Sequence, residues 1–570
     1  MKVSWARGAV RTRVIGSVAM LVAASLAPAI AFAVDCSPRA LNALQIPRLT
    51  VTTTTVVPAA LPRQEYCGVK GSVATRGEGA GPGSAGFELM LPVHWNGKYV
   101  FGGSRGEGGS LASSANPVDL QQFMVSGYAV VTTDDGHPQS DRHWFFTRPG
   151  QGDMPKLADF FYRAVHQVTL ATQDLVKRYY TAPSISRSYF DGCSNGGREG
   201  VMVAARYPDD YDGVIAGSSW LDPAGNAFSD VKNVKALIDA PIPLSKFAAI
   251  DAAILAQCDA VDGTRDGLIQ NPGACSFKPE SLVPRVLTKA QAHALIQYFS
   301  SVRDAGGSLV YPGMTVSDLE MQFGTPGAPM VELGLSPPSP EAAQPWGKGL
   351  APHLWRSAGG VILVLGYRNP RIDMNNTIES RPGVVNQRPL QTLYTRLRAD
   401  ITDDPQSLKR FFARGGKLIM YHGLSDATIS PYISVWFYEN LAAEQGGYAE
   451  AQKSARLFLV PEMQHCSDGP APVRFDTLTA LDNWVERGKG PDDLTSFYTN
   501  GRMAGRTLPL CKFPEMARYK GTGNIRNAQS WTCSPTDRSM LKTGLNGAEA
   551  GLRSRARQIT LVKGTPGAIG

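Results

Sequence analysis

Eight cysteines fall at positions 36, 67, 193, 258, 275, 466, 511 and 533, none in a Cys-x-x-Cys pair or beside histidines at zinc-site spacing. The start of the chain gives them a context. Lys2, Arg7, Arg11 and Arg13 precede an apolar run from Val14 that closes on Ala31-Phe32-Ala33, the small-x-small pattern of a cleaved export signal. Pro28 and that triplet favour a removed signal over a membrane anchor, and no later stretch is long and apolar enough to span a bilayer. In an oxidising compartment an even set of cysteines reads as disulfides. Sequence neighbours pair as Cys36 with Cys67, Cys258 with Cys275 and Cys511 with Cys533, leaving Cys193 and Cys466 as a long-range pair. A bond there forces two distant backbone segments to within about 4.4–6.8 Å between Cα atoms. That is a severe restriction on the fold.

The 570 residues carry a formal charge of +8, which invites a nucleic-acid or acidic-membrane reading. Four of those charges belong to residues 1–33 and four, net, to 536–570, so 34–535 is formally neutral. The expectation is a protein with neither a nucleic-acid nor a membrane partner, secreted or periplasmic, with a flexible basic tail over 536–570. At 43% apolar and 19% charged residues the composition is that of a globular chain.

Short apolar strands alternate with helical stretches from about 87 to 220. Strands are expected at Lys98–Phe101, Tyr128–Thr133 and Ser188–Phe190, and helices at Leu157–Tyr180 and Arg198–Arg206. The pattern resumes at Lys417–Tyr421 and Leu457–Val460. Such alternation predicts an α/β fold built on a parallel sheet with helices on both faces. Residues 221–410 differ in texture, being Pro-rich with weak periodicity, and read as an insertion into one core made of 34–220 and 411–535.

Gly192-Cys193-Ser194-Asn195-Gly196 fits Gly-x-Ser-x-Gly between an expected strand and an expected helix. Small residues around the serine permit a strained turn that projects its hydroxyl above a sheet. A serine hydroxyl needs a base, and the base an orienting acid, following in the order Ser, acid, His in this kind of fold. Of eight histidines only His465 follows a late strand, and Asp426 lies just past Lys417–Tyr421. His422 reads as a strand-end histidine. Cys193 directly precedes Ser194 and Cys466 directly follows His465, so the long-range disulfide would bring nucleophile and base together.

Cys-Ser at 193–194, Asp426 and His-Cys at 465–466 resemble the paired-cysteine triad of the tannase/feruloyl esterase family. The similarity extends through Gly192–Gly200, Tyr421–Asp426 and Ala517–Gly521 and covers about 36 to 533. It implies an α/β-hydrolase core with an inserted lid domain, and a serine esterase acting through an acyl-enzyme. Backbone N–H groups of Asn195 and of the Gly-rich loop 102–109 would form the oxyanion hole. The family pattern points to Gly106 in that loop, with Arg105 as the alternative because the loop is one residue longer here. A phosphate cradle is excluded, since no Gly-Lys-Ser/Thr follows.

Between Cys258 and Leu268 three carboxylates recur in a Gly-containing turn, which taken alone reads as an acidic solvated loop. The resemblance implies a structural Ca²⁺ held by Asp259, Asp262 and Asp266 side chains and Thr264 and Leu268 carbonyls, oxygen donors that suit this ion. Lid residues Phe299, Trp346, Trp355, Tyr367, Arg356 and Arg368 are candidates for binding a planar acyl group. The expected substrate is a small aromatic or plant cell-wall phenolic ester, feruloyl-type first, with gallate or terephthalate monoesters as alternatives. A non-catalytic α/β-hydrolase-like binding protein would be expected to have lost a triad residue, and acyl transfer remains open to the same acyl-enzyme.

Overall fold

The computed structural model describes residues 34–141, 144, 146–148, 151–304, 309–324, 384–385, 405–467 and 473–535. Nine strands form one mixed sheet: β1 (Leu49–Val57), β2 (Tyr66–Gly77), β3 (Ala80–Pro92), β4 (Lys98–Gly102), β5 (Ala129–Thr133), β6 (Arg187–Cys193), β7 (Gly213–Gly217), β8 (Lys417–Gly423) and β9 (Ala455–Val460). Their spatial order is β1-β2-β3-β5-β4-β6-β7-β8-β9. The first three pair antiparallel, as do β3 and β5, while the run from β5 and β4 to β9 is parallel.

The parallel strands are apolar runs because both their faces are covered. All five residues of β5 and of β7 are buried. On one face Val214, Ala216, Leu418 and Met420 pack with Val165, Val203 and Tyr438, and on the other Ile215, Ile419 and Phe458 pack with Leu481 and Trp484. These partners come from α1 (Ala164–Tyr179), α2 (Asn195–Arg206), α3 (Pro431–Gln445) and α4 (Leu478–Arg487). The parallel α/β sheet expected from the alternation is present.

Two features depart from the sequence pattern. The sheet begins at Leu49 rather than near 87, because the Thr-rich edge strand β1 buries only Val51 and so shows no apolar alternation. The helix expected over Leu157–Tyr180 starts at Met154 and widens into a π-helical turn at Asp159–Arg163. Arg163, fully buried there, donates to Asp159 Oδ1 at 2.6 Å and to the carbonyls of Gly77 and Gly81 at 3.1 and 2.8 Å, clamping this helix to the β2–β3 ribbon.

After Gly217 the chain leaves the sheet and rejoins it at Lys417. The intervening helices Pro223–Asp239, Phe247–Cys258 and Lys289–Phe299 surround a third apolar cluster that includes Ile250, Leu295, Tyr298, Phe299 and Phe323. Phe299 is thus core packing. Trp346, Trp355, Arg356, Tyr367 and Arg368 lie outside the described residues, as do 1–33 and 536–570. All four expected disulfides are formed: 36–67, 193–466, 258–275 and 511–533. Among the described residues no helix is long and apolar enough to cross a membrane.

Close approach between strand ends depends on missing Cβ atoms. A Cβ on Gly217 would overlap the phenol end of Tyr421, one residue before His422 on β8. Gly217→Ala is therefore expected to destabilise the protein by about 1–3 kcal/mol through overpacking, measured by chemical denaturation; a change within about 0.5 kcal/mol would contradict the packing described.

Candidate active site

Because β4, β6, β8 and β9 are parallel, the loops that follow them open on the same edge of the sheet, where open α/β sheets place their sites. Ser194 follows β6 directly and has φ 64° and ψ −120°, a conformation non-glycine residues rarely adopt. The surroundings hold it there. Ser194 N–H donates to Gly217 O at 2.9 Å, and its carbonyl accepts from Arg198 N and Trp220 N at 3.0 and 3.1 Å. A Cβ on Gly192 would lie 2.7 Å from the Gly196 carbonyl carbon, which explains the small residues of the pentapeptide. Asn195 opens α2, where backbone N–H groups have no intrahelical partner.

Asp426 lies in the turn after β8 and is fully buried. Its Oδ1 accepts from Thr428 N and Ile429 N at 2.8 and 3.0 Å, and its Oδ2 from His465 Nδ1 at 2.7 Å. His422 Nε2 also reaches Oδ2, at 3.2 Å, and the Ile429 carbonyl at 3.1 Å, while its Nδ1 meets Ser434 Oγ at 2.8 Å. Burial alone would raise the Asp426 pKa. The charge of His465 and the hydrogen bonds from His422 and His465 outweigh burial and hold the carboxyl well below the usual carboxylate range. His465 is 18% exposed at its side chain, and donation from Nδ1 leaves Nε2 as the basic nitrogen. The Cys193–Cys466 bond, with Cα atoms 5.7 Å apart, joins the residue before Ser194 to the residue after His465.

The structure thus brings Asp426 and His465 into contact and tethers Ser194 to them. It adds His422, whose place at the end of β8 does not by itself distinguish it from an ordinary strand-end histidine. Its signal was its place four residues before Asp426, but only the turn Gly423–Ser425 folds it onto the carboxylate.

In the loop after β4, Gly103 N–H donates to Asp191 O and Ser104 N–H to Glu199 Oε2. The backbone N–H groups of Arg105 and Gly106 have no acceptor within the described residues, so the two alternatives for the second oxyanion donor are the first free donors of the loop.

The acidic loop is a short 3₁₀ turn, Asp259–Asp262, followed by Gly263 at φ 97°. Asp259 Oδ1 accepts from Asp266 N and Gly267 N, Asp262 Oδ1 from Thr264 N, and Asp266 Oδ1 from Leu268 N. Asp266 Oδ2 is paired with Arg506, which is distant from this loop in sequence. Asp262 Oδ2 is buried without a hydrogen-bond partner, and burial together with the Asp266 charge pushes that carboxyl up to about 7. Among the described residues no three His, Cys, Asp or Glu side chains converge as a ready-made metal cluster.

A serine on a strained strand–helix turn, tethered by a disulfide to a histidine oriented by a buried aspartate, on a parallel sheet covered on both faces, defines an α/β-hydrolase. The profile of the family described as "Tannase and feruloyl esterase" matches residues 67–534. Mono(2-hydroxyethyl) terephthalate hydrolase of Piscinibacter sakaiensis is 32% identical over 536 residues, covering 84% of this chain and 85% of that protein. Feruloyl esterase B of Aspergillus niger is 29% identical over 477 residues, covering 78% and 83%. Among solved structures, feruloyl esterase B from Aspergillus oryzae superposes with a TM-score of 0.70 at 23% identity, covering 85% of this chain and 97% of that one. Tannin acyl hydrolase from Aspergillus niger gives 0.65 at 20%, covering 89% and 97%. The last two show the fold. This chain belongs to the tannase and feruloyl esterase family, and it is a carboxylic ester hydrolase.

Asp426 has a folded pKa below its unfolded value of about 4, so its contribution to stability is present above that pH and is lost as pH falls further. Asp426→Asn is expected to flatten the decline of Tm between about pH 4 and pH 2 and to lower kcat by about 10³–10⁴-fold. Thermal denaturation across pH and steady-state kinetics check the two effects; an unchanged acid decline would contradict the first.

Proposed function

We propose that this protein is an exported serine esterase that cleaves esters of aromatic carboxylic acids, hydroxycinnamate (feruloyl-type) esters first and gallate esters second. The observation that carries the reading is the hydrogen-bonded Asp426–His465 pair, bound through Cys193–Cys466 to the strained turn of Ser194. In this reading His465 Nε2 takes the Ser194 hydroxyl proton as Oγ attacks the ester carbonyl. Backbone N–H groups of Asn195 and of Gly106 or Arg105 stabilise the oxyanion. The tetrahedral intermediate collapses as His465 protonates the leaving alcohol. Water, activated by the same histidine, then releases the acid. Asp426 holds the imidazole tautomer and balances its charge in both halves.

The substrate assignment is supported by the feruloyl esterases among the relatives. A terephthalate monoester is the third reading, supported by the 32% identity to the hydrolase of that substrate. Export is supported by the basic, apolar start with its small-x-small triplet and by four disulfides. Ser194→Ala is expected to abolish hydrolysis of methyl ferulate without changing Tm by more than about 2 °C. Kinetics on methyl ferulate, methyl gallate, chlorogenate and a terephthalate monoester then rank the substrates. Turnover by the alanine variant would overturn the reading.

The loop Asp259–Leu268 is proposed as a structural Ca²⁺ site. Its donors are hard oxygens, and the unpartnered, buried Asp262 Oδ2 is an acceptor in need of a cation. Asp259, Asp262 and Asp266 with the carbonyls of Thr264 and Leu268 would hold the ion, which would supply rigidity rather than chemistry. Chelation is expected to lower Tm, with recovery on adding Ca²⁺, and elemental analysis after dialysis is expected to find bound calcium; its absence would reject the site.

A further inference from the structure

Beneath the serine turn, side chains from separate segments interlock out of reach of solvent. Glu199, on the first turns of α2, accepts from Ser104 N–H at 3.0 Å through Oε2 and from the Ser104 hydroxyl at 2.6 Å through Oε1. Asn195 Nδ2 donates to Ser104 Oγ and to Glu199 Oε1, both at 2.8 Å. Asn195 Oδ1 accepts from Arg198 Nε at 2.8 Å, and the other guanidinium nitrogens of Arg198 donate to the Phe161 and Phe160 carbonyls. Gly196 N–H completes the contact by donating to Ser104 O at 3.1 Å. Ser104, Asn195, Arg198 and Glu199 are all at most 2% exposed, so none of these side chains can touch a substrate.

Their chain neighbours can. Ser104 immediately precedes Arg105 and Gly106, and Asn195 carries the other proposed oxyanion donor on its own backbone. We propose that Glu199 is the positioning residue of the oxyanion hole: its carboxylate latches the loop after β4 onto the start of α2 and sets the spacing between the two backbone donors. This inference rests on the proposed esterase mechanism and adds to it a residue that acts through others.

The chemistry calls for a carboxylate. Three N–H or O–H donors converge on Glu199, and an ionised carboxylate is acceptor-only on both oxygens. A glutamine would turn an amide N–H₂ toward one of those donors. Arg198 supplies the compensating charge. Asp135, in the turn after β5, is fully buried against this group, and its oxygens make no conventional hydrogen bond. Burial and the nearby charge of Glu199 push the Asp135 carboxyl well up. Burial also raises the Glu199 carboxyl, but the Arg198 charge and the Ser104 hydrogen bonds oppose that rise, so the negative charge favours Glu199 over Asp135. The backbones meet directly as well. A Cβ on Gly103 would lie 2.7 Å from Gly196 Cα, so the loop and the helix start touch without side chains between them.

The test uses Glu199→Gln and the milder Ser104→Ala in the full-length protein. Glu199→Gln is expected to lower kcat on a nitrophenyl ester of an aromatic acid by about 10–100-fold, with KM within about twofold. A nitrophenyl phosphonate that phosphonylates Ser194 separates positioning from folding. Its burst amplitude counts intact sites and is expected to match wild type, while its rate falls in parallel with kcat, because both reactions pass through the oxyanion hole. Ser104→Ala is expected to cost about 3–10-fold in kcat, and the double variant to be no worse than Glu199→Gln alone, since both remove the same latch. Wild-type kcat in Glu199→Gln overturns the proposal, as does a loss of kcat matched by a loss of burst amplitude, or effects that multiply in the double variant. Failure of the underlying esterase reading shows separately, as turnover by Ser194→Ala or as wild type that is never phosphonylated.

Discussion

The Cys193–Cys466 bond is the constraint on which the site depends. Ser194 and His465 stand at the ends of strands β6 and β9, which are separated in the sheet by β7 and β8. Parallel pairing aligns the strand ends on one edge but leaves the loops beyond them free to diverge. The disulfide removes that freedom at the two residues adjacent to nucleophile and base. It also takes over from hydrogen bonding the task of closing a very long loop, whose entropic cost would otherwise fall on weaker contacts.

Around this tether, order is imposed by buried polar groups that are paired rather than avoided. Asp426 stays ionised at zero exposure because two histidines and two backbone N–H groups replace its hydration. Arg163 and Arg198, among the largest fully buried side chains, are satisfied by carbonyl oxygens and by acceptors on their own helical segments. Each spans a junction that apolar packing alone would leave free to slide: the helix against the β2–β3 ribbon, and α2 against the π-helical turn Asp159–Arg163. Such groups are costly when one partner is removed, which makes the arrangement specific as well as stable.

The parallel half of the sheet was legible because strands buried on both faces must be apolar throughout, and Lys98–Phe101, Tyr128–Thr133, Lys417–Tyr421 and Leu457–Val460 were all located to within a few residues. The antiparallel half was not, since edge strand β1 presents threonines to solvent and β2 alternates around glycines. Ser194, Asp426 and His465 could be selected by order, strand-end position and neighbouring cysteines. Nothing local marked Glu199 or Ser104, because they meet each other from separate segments, and the four-residue spacing of His422 from Asp426 becomes a contact only through the turn that bends back on it.

The sequence alone determined the even set of cysteines with its neighbour pairing as the expectation, the alternation that requires an α/β sheet and the strand-end positions of the three reactive groups, because each is read from spacing and residue type along the chain. The bonds themselves are seen in the structure. Only the tertiary structure decided how those groups are held. The second histidine on Asp426, the carboxylate latch on Ser104 and the Arg506 contact to Asp266 each join residues by through-space electrostatics, which depend on distance and burial and leave no periodic trace in the chain.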